Sequence, residues 1–399
     1  MSAPRQKVCF VVSAPLTAEA FLANHIRVLA ERYEIHLVAN ADPQSIRHPA
    51  LARATRLRAG IERAIAPLAD IRALLQLVSI LRRGGYSAVH SITPKAGLIA
   101  ALAGFIARVP VRIHTFTGQV WATRRGPGRW LLKALDRLVA ALDTHLLVDS
   151  VSQRDFLRAQ GVLDDARGIV LAKGSVAGVD LDRFRPDTAA RASVRAELGI
   201  PDRDIVFLFV GRLTRDKGVL DLAGAFAQLA SGRRDAWLVL VGPDEEAMSA
   251  GIRQRCGAHV GRVRFAGHSP QPERYMAAAD VFCLPSYREG FGSVVIEAAA
   301  ASLPAIGSRI YGIIDAIEPD STGLLFDAGD VSMLCAAMKR LAGDAPFRAA
   351  LAAAARERAV RDFSQDLLTG ALVQFYEDVL GPTSARSPQA ADTREGLRL

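Results

Sequence analysis

The chain has 399 residues, half of them hydrophobic, which is enough for two buried cores, and a formal charge of +9 at pH 7. No apolar run reaches the roughly 20 residues needed to cross a bilayer; the longest, 96–107, ends at Arg108. Four cysteines (Cys9, Cys256, Cys283, Cys335) share no pair spacing, which argues against a disulfide framework or a zinc site and for a reducing cytoplasm. The charge is uneven. Residues 1–185 carry 26 Lys and Arg against 14 Asp and Glu, whereas 186–399 carry 24 against 27. A basic excess confined to one half points to an anionic partner there: nucleic acid, anionic lipid or a diphosphate-bearing substrate. A generally arginine-rich surface is the plainer explanation.

Residues 7–12 read as a first strand. Arg5 and Lys7 precede it, but the run is short and lacks the cleavage site of a signal peptide. A helical pattern at 18–32 and a strand at 34–39 follow. Alternating strands and helices predict βαβ units and a parallel sheet, with ligands beyond the strand carboxyl ends, so the turn 13–17 is a candidate site. Residues 53–83 read as a long basic helical stretch broken by Pro67, with Leu57, Ile61, Ile65, Leu68, Ile71 and Leu75 among seven arginines that include Arg63. It suits an anionic membrane surface, or simple packing with arginine outward. Strands ending in polar turns at 88–95 and 111–118 carry His90 and His114, each either a chemical group or a hydrogen-bonded structural one. Segment 121–130, with Arg124, Arg125 and Arg129 between two tryptophans, reads as a basic mobile loop before a helix at 131–142. A strand at 145–148, a helix at 152–160 and a glycine-rich stretch lead to a domain boundary near Pro186.

In the second half, the apolar strand 204–210 runs into Gly211-Arg212-Leu-Thr-Arg-Asp-Lys217-Gly218 and then a helix. Arginine binds phosphate bidentately and lysine binds it as a point charge, so this turn seeks phosphate. Its glycine spacing is neither the Walker A nor the dinucleotide-binding pattern. Strands at 236–241 and 263–267 end at Gly242 and His268. An apolar strand at 280–285 leads into Ser-Tyr287-Arg-Glu289-Gly290-Phe291-Gly292-Ser293 and a helix containing Glu297. The glycines let backbone approach a ligand, and the helix start offers unpaired N–H groups to a phosphate. The two carboxylates accept hydrogen bonds from sugar hydroxyls. Alone, this stretch is equally a strand-to-helix turn with two solvated acids. Helices fill 331–360 and 367–380, and a polar tail from 381 reads as disordered.

Taken together, these motifs resemble the family 4 retaining glycosyltransferases of the GT-B fold. The resemblance covers most of the chain: Gly211-Arg-Leu with Lys217-Gly218, Leu240-Val-Gly242, Ala277-Ala-Ala-Asp280, and Glu289-Gly-Phe-Gly with Glu297. His90-Ser-Ile-Thr93-Pro-Lys95-Ala-Gly, His114-Thr-Phe-Thr117-Gly-Gln and Tyr287-Arg-Glu-Gly-Phe-Gly are most similar to the subgroup that assembles surface polysaccharides on undecaprenyl-diphosphate-linked acceptors. The resemblance implies two Rossmann-like α/β domains facing across a cleft: an acceptor domain (1–185), a donor domain (186–365) and a crossover helix (366–380). It implies that Arg212 and Lys217 hold the donor diphosphate, that Glu289 takes sugar hydroxyls, and that Glu297 takes the ribose. Backbone at Gly290, Phe291, Gly292 and Ser293 meets sugar and phosphate. Gly211, Gly242 and His268 complete the donor site, and His114 stands beside the reacting sugar. On the acceptor side the expected residues are His90, Thr93, Lys95, Thr117, Arg124 and Arg125. Where many members have a Gly-Gly loop, this chain has Ser13-Ala-Pro-Leu-Thr17, and Thr17 is the expected donor contact.

The chemistry agrees with these roles. Charge develops on the leaving β-phosphate, where two cations and a helix N-terminus stabilise it, so neither metal nor cofactor is expected. Retaining hydrolases use two carboxylates about 5 Å apart. No nucleophile carboxylate stands out in the first-half turns, which favours front-side attack with the leaving phosphate taking the acceptor's proton. The expected donor is a UDP-sugar, of N-acetylhexosamine type, and the expected location is the inner face of the cell membrane, peripherally bound. The competing classes are transfer to a soluble or other lipid acceptor, a nucleotide-sugar epimerase or hydrolase of similar shape, and a catalytically silent subunit. A nucleic-acid binder is a further rival, but the chain lacks the interleaved aromatics of a base-stacking surface, and no nucleic-acid partner is expected.

Overall fold

The computed structural model describes residues 5–46, 48–62 and 66–381. The expected disordered tail beyond 381, and Arg63 and Ile65 of the long basic stretch, lie outside them. The first sheet holds β1 (Lys7–Val11), β2 (Glu34–Ala39), β3 (Thr55–Arg58), β4 (Ala88–Ile92), β5 (Val111–Phe116), β6 (His145–Val148) and β7 (Ile169–Val170), in the order β3-β2-β1-β4-β5-β6-β7. The second holds β8 (Ile205–Val210), β9 (Ala236–Val241), β10 (Val263–Gly267), β11 (Val281–Leu284), β12 (Ala305–Ser308) and β13 (Gly323–Phe326), in the order β10-β9-β8-β11-β12-β13. All pairings within the sheets are parallel. Each sheet begins at an inner strand and winds outward both ways. A crevice therefore opens where the order reverses, beside β1 and beside β8.

Strand parity explains the two layers of the first half. Val8 and Phe10 of β1, with Val12 just beyond it, face the helices Pro15–Phe21 and Ala23–Leu29, while Cys9 and Val11 face the helices Pro67–Gly84 and Pro94–Ile106. The last helix, Gln365–Leu380, crosses back and inserts Leu372, Phe375 and Tyr376 into the first of these layers. The connector is pinned where Val179 bridges Ser364. In the second half, Asp280 closes the Ala-Ala-Ala-Asp motif on buried Arg195 (2.7 Å) and exposed-side Arg191 (2.8 Å), so this motif is structural.

Three local expectations need correction. Residues 53–83 are not one broken helix: Thr55–Arg58 is an edge strand beside β2, and the helix starts at Pro67, whose missing N–H fits a first turn. The 18–32 helix is two short ones, and the first begins at Pro15, so it absorbs most of the expected loop 13–17. The expected mobile loop 121–130 is anchored. Trp121 is buried, donates Nε1–H to Asp136 (2.7 Å) and stacks on Phe156, and the helix begins at Gly126.

Candidate active site

The carboxyl ends of β8, β9 and β11 meet on one side of the cleft. Gly211 and Gly242 interlock so closely that a side-chain carbon on Gly242 would fall 1.8 Å from the Gly211 carbonyl oxygen. The turn Arg215–Lys217 packs under Pro285, whose carbonyl leaves no room beside Gly218, a position at φ +66°. These contacts fix Lys217 against the 286–292 turn. Its Nζ lies 2.5 Å from Glu289 Oε1, which also accepts from Ser286 Oγ at 2.8 Å. Arg212 reaches Glu245 at 2.9 Å. Gly292, at φ +78°, caps the helix Ser293–Ala300 without a side-chain partner, so the helix start keeps N–H groups for a ligand. Phe291 turns its ring into the core against Phe363, presenting backbone to the cleft.

Glu297 lies one turn into that helix. Burial pushes its carboxyl up to about 7, with Arg183 pulling it down and Glu273 opposing Arg183. His268 is exposed beyond β10, joined to the Gly242 turn through the Gly242 N–H to Gly267 carbonyl bond (2.7 Å). Two Asp-x-Asp pairs, Asp180 with Asp182 and Asp202 with Asp204, serve the scaffold. Asp180 accepts from the N–H groups of Asp182 and Arg183, and Asp204, two residues after Asp202, accepts from Trp237.

The first half supplies the opposite wall. Thr93, a β-branched residue held at φ +81°, approaches Ser13 (3.4 Å between hydroxyls), which brings the ends of β1 and β4 together. Strain of this kind gathers at functional positions. Lys95 is ion-paired with Asp70 at 2.6 Å, and Thr17 lies in the first turn of the helix Pro15–Phe21. Thr117 directs its carbonyl to the Gln119 and Gln153 amides, while Arg124 and Arg125 are exposed. The walls touch: Gly118 packs on the Glu289–Gly290 backbone, the Phe156 ring stacks on Tyr311 at 4.3 Å, and the Ser152 hydroxyl bonds Asp315.

The two histidines separate. His90 faces the crossover helix, with one ring nitrogen 2.8 Å from the Tyr376 hydroxyl and the other 2.7 Å from Thr115. Both nitrogens are bonded within the core, so the expected acceptor role of His90 does not hold; the adjacent-strand parity turns it away. His114 faces the other layer, held by Ser91 at 2.9 Å and packed on Gly97. Burial pulls it down to about 3, so it is a neutral imidazole at neutral pH and no base. Two residues were missed. Arg288 bonds Asp216 at 2.8 Å and reaches across to the Gly118 carbonyl at 3.4 Å. Asp149, just beyond β6, places a buried carboxyl against Gly290. Its neighbour Ser150 caps the helix Val151–Ala159.

A cationic seat and an uncapped helix start for a diphosphate, flanked by hydroxyl-accepting carboxylates between two parallel α/β halves, define a nucleotide-sugar transferase of the GT-B fold. The family described as glycosyl transferases group 1 matches residues 190–358, and the glycosyl transferase 4-like domain matches 18–174. The chain is 27% identical over 321 residues to a capsular polysaccharide biosynthesis glycosyltransferase, CapM, of Staphylococcus aureus, covering 80% of this chain and 84% of that one. It is 26% identical to the UDP-Gal:alpha-D-GlcNAc-diphosphoundecaprenol alpha-1,3-galactosyltransferase of Escherichia coli (71% and 73% covered). It is 31% identical to the alpha-maltose-1-phosphate synthase of Mycolicibacterium smegmatis (73% and 79%). Sucrose-phosphate synthase from Thermosynechococcus elongatus shares the fold, with a TM-score of 0.79 at 22% identity over 94% of this chain and 99% of that one. The chain belongs to the glycosyltransferase family that these domains define, and it is a hexosyltransferase using a nucleotide-sugar donor.

Proposed function

We propose that the chain moves a sugar from a UDP-sugar to an undecaprenyl-diphosphate-linked saccharide, with retention of anomeric configuration, in surface polysaccharide assembly. The observation that carries the transfer itself is the convergence of Lys217, Glu289 and the helix start at Ser293 on the contact with Gly118. The capsular relative supports surface polysaccharide assembly, and the diphosphoundecaprenol relative supports the acceptor class and the uridine nucleotide. In this reading Arg212 and Lys217 take the diphosphate, Glu289 and Glu297 take sugar and ribose hydroxyls, and the backbone at 290–293 seats the phosphates. His268 stands at the base, with Thr17 near the diphosphate. His114 acts as a neutral group beside the sugar, and Thr93, Lys95, Thr117, Arg124 and Arg125 line the acceptor path. Attack is front-side, and the leaving phosphate accepts the acceptor's proton; no metal or cofactor enters these steps.

The basic half then rests on the cytoplasmic face of an anionic membrane. The helix Pro67–Gly84 turns Leu68, Ile71 and Leu75 outward, spaced as one stripe beside exposed Arg72, and Trp130 and Leu131 are exposed a few residues after exposed Arg124 and Arg125. Among the described residues no helix is long and apolar enough to cross a membrane. The test is UDP release from a panel of UDP-sugars, with and without a polyprenyl-diphosphate-linked saccharide. Release that rises steeply only with that acceptor supports the proposal. Equal stimulation by a soluble sugar phosphate would favour the soluble-acceptor class instead, and free sugar without acceptor would point to a hydrolase.

A further inference from the structure

The Asp149 carboxyl has an unusual setting. The residue is 5% exposed, and its Oδ1 has no hydrogen-bond partner. Its backbone is clamped, with the N–H donating to Gln153 Oε1 and the carbonyl accepting from the Ser175 N–H, both at 2.7 Å. The side chain is thereby aimed at the donor half. A side-chain carbon on Gly290 would lie 2.2 Å from Oδ2 and 2.8 Å from the Gly118 nitrogen, so only glycine allows the two halves to meet here. Asp149 shares the lining of a small cavity with His25, His90, Thr115 and Ser175. Both histidines have each ring nitrogen bonded elsewhere, to Thr369 and Val176 and to Tyr376 and Thr115, so neither pairs with Asp149.

The charges facing it from the donor half are few. Glu289 is the next residue after Arg288 in the opposing turn and is paired with Lys217, and Arg288 is paired with Asp216. Among the described residues no cation forms an ion pair with Asp149. Two carboxylates facing across a buried contact cannot both be ionised without large cost.

We infer that Asp149 is a positioning residue: its neutral carboxyl seats the sugar-binding turn 289–291 against the first half, and the cleft closes in this geometry only while Asp149 holds its proton. Burial, then the charge of Glu289, hold the group well above the usual carboxylate range, in keeping with that state. Asp149 acts through Glu289 and Gly290 and is not the nucleophile of a double displacement. The inference rests on glycosyl transfer but not on the identity of donor or acceptor.

The test compares the full chain with D149N, an isostere of the neutral form, and D149A. Small-angle scattering of ligand-free protein is recorded between about pH 6 and pH 10, and UDP release from UDP-galactose is followed over the same range. The wild type is expected to expand and lose turnover as pH rises. D149N is expected to stay compact, keep turnover near pH 7 to within about threefold, and lack the alkaline loss, whereas D149A is impaired throughout. Identical scattering of wild type and D149N at every pH overturns the inference. So does a D149N as inactive as D149A, since the ionised carboxylate would then be doing the chemistry. If UDP-galactose is not turned over, scattering alone decides the matter for Asp149, and the functional reading is judged separately by its donor panel.

Discussion

Lys217 and Glu289 neutralise each other on the donor wall of the cleft, and in the proposed reading donor binding begins by exchanging that pair. The proposed role of Lys217 is that a diphosphate draws it away, freeing the Glu289 carboxylate, which Ser286 orients, to accept sugar hydroxyls. Lys217→Ala should lower kcat/KM by about 10²–10³-fold, the usual cost of losing one donor to developing charge, with the circular-dichroism melt still cooperative. Near-normal nucleotide release would remove Lys217 from the mechanism. Glu297 makes a second prediction. Its raised value means that the ligand-free protein favours the neutral acid, so its contribution to stability is present below the ordinary carboxylate value and lost as pH rises through about 7. If Glu297 takes the ribose as proposed, the ribose hydroxyls donate to the ionised form, so UDP binding should release a proton near pH 7 and tighten as pH rises. Calorimetry in buffers of different ionisation enthalpy measures that proton, and Glu297→Gln should abolish it. These residues were legible because each sits in a strand–turn–helix motif a few residues long. Asp149 was not, because only the fold brings it to Gly290. The misreading of His90 has a physical cause too: carboxyl-end position is visible in a sequence, but which face a strand residue takes depends on register.

At the level of elements, strand order and most strand bounds follow from apolar runs between glycine-rich turns. What failed was short or edge structure. β3 has four residues with arginine at two of them, and it is half-exposed, so its pattern merged with the helical one that follows. β7, with two residues, carried no signal. The helix Pro67–Gly84 presents an outward apolar stripe of Leu68, Ile71 and Leu75. Ala73, Leu77, Val78 and Leu81 anchor its inner face, so replacing Leu68, Ile71 and Leu75 with serine should leave the melting temperature unchanged. Binding to vesicles containing anionic lipid should fall by about tenfold or more. Unaltered vesicle binding would move the membrane contact elsewhere.

The whole molecule is two parallel sheets whose carboxyl ends face each other, joined by a connector and by a final helix that belongs to the core of the first half. Charge divides the same way, with the basic half opposite the donor half. That arrangement lets one cleft hold a nucleoside diphosphate against one wall and receive an acceptor along the other. Leaving group, nucleophile and proton can then meet on one face of the sugar. The anomeric outcome of a single turnover tests this most directly. Proton NMR of the product formed from an α-linked UDP-sugar and a polyprenyl-diphosphate-linked saccharide should show the small anomeric coupling of an α-linkage, appearing in step with UDP release. A β-linked product, or UDP release without any glycoside, would contradict the account.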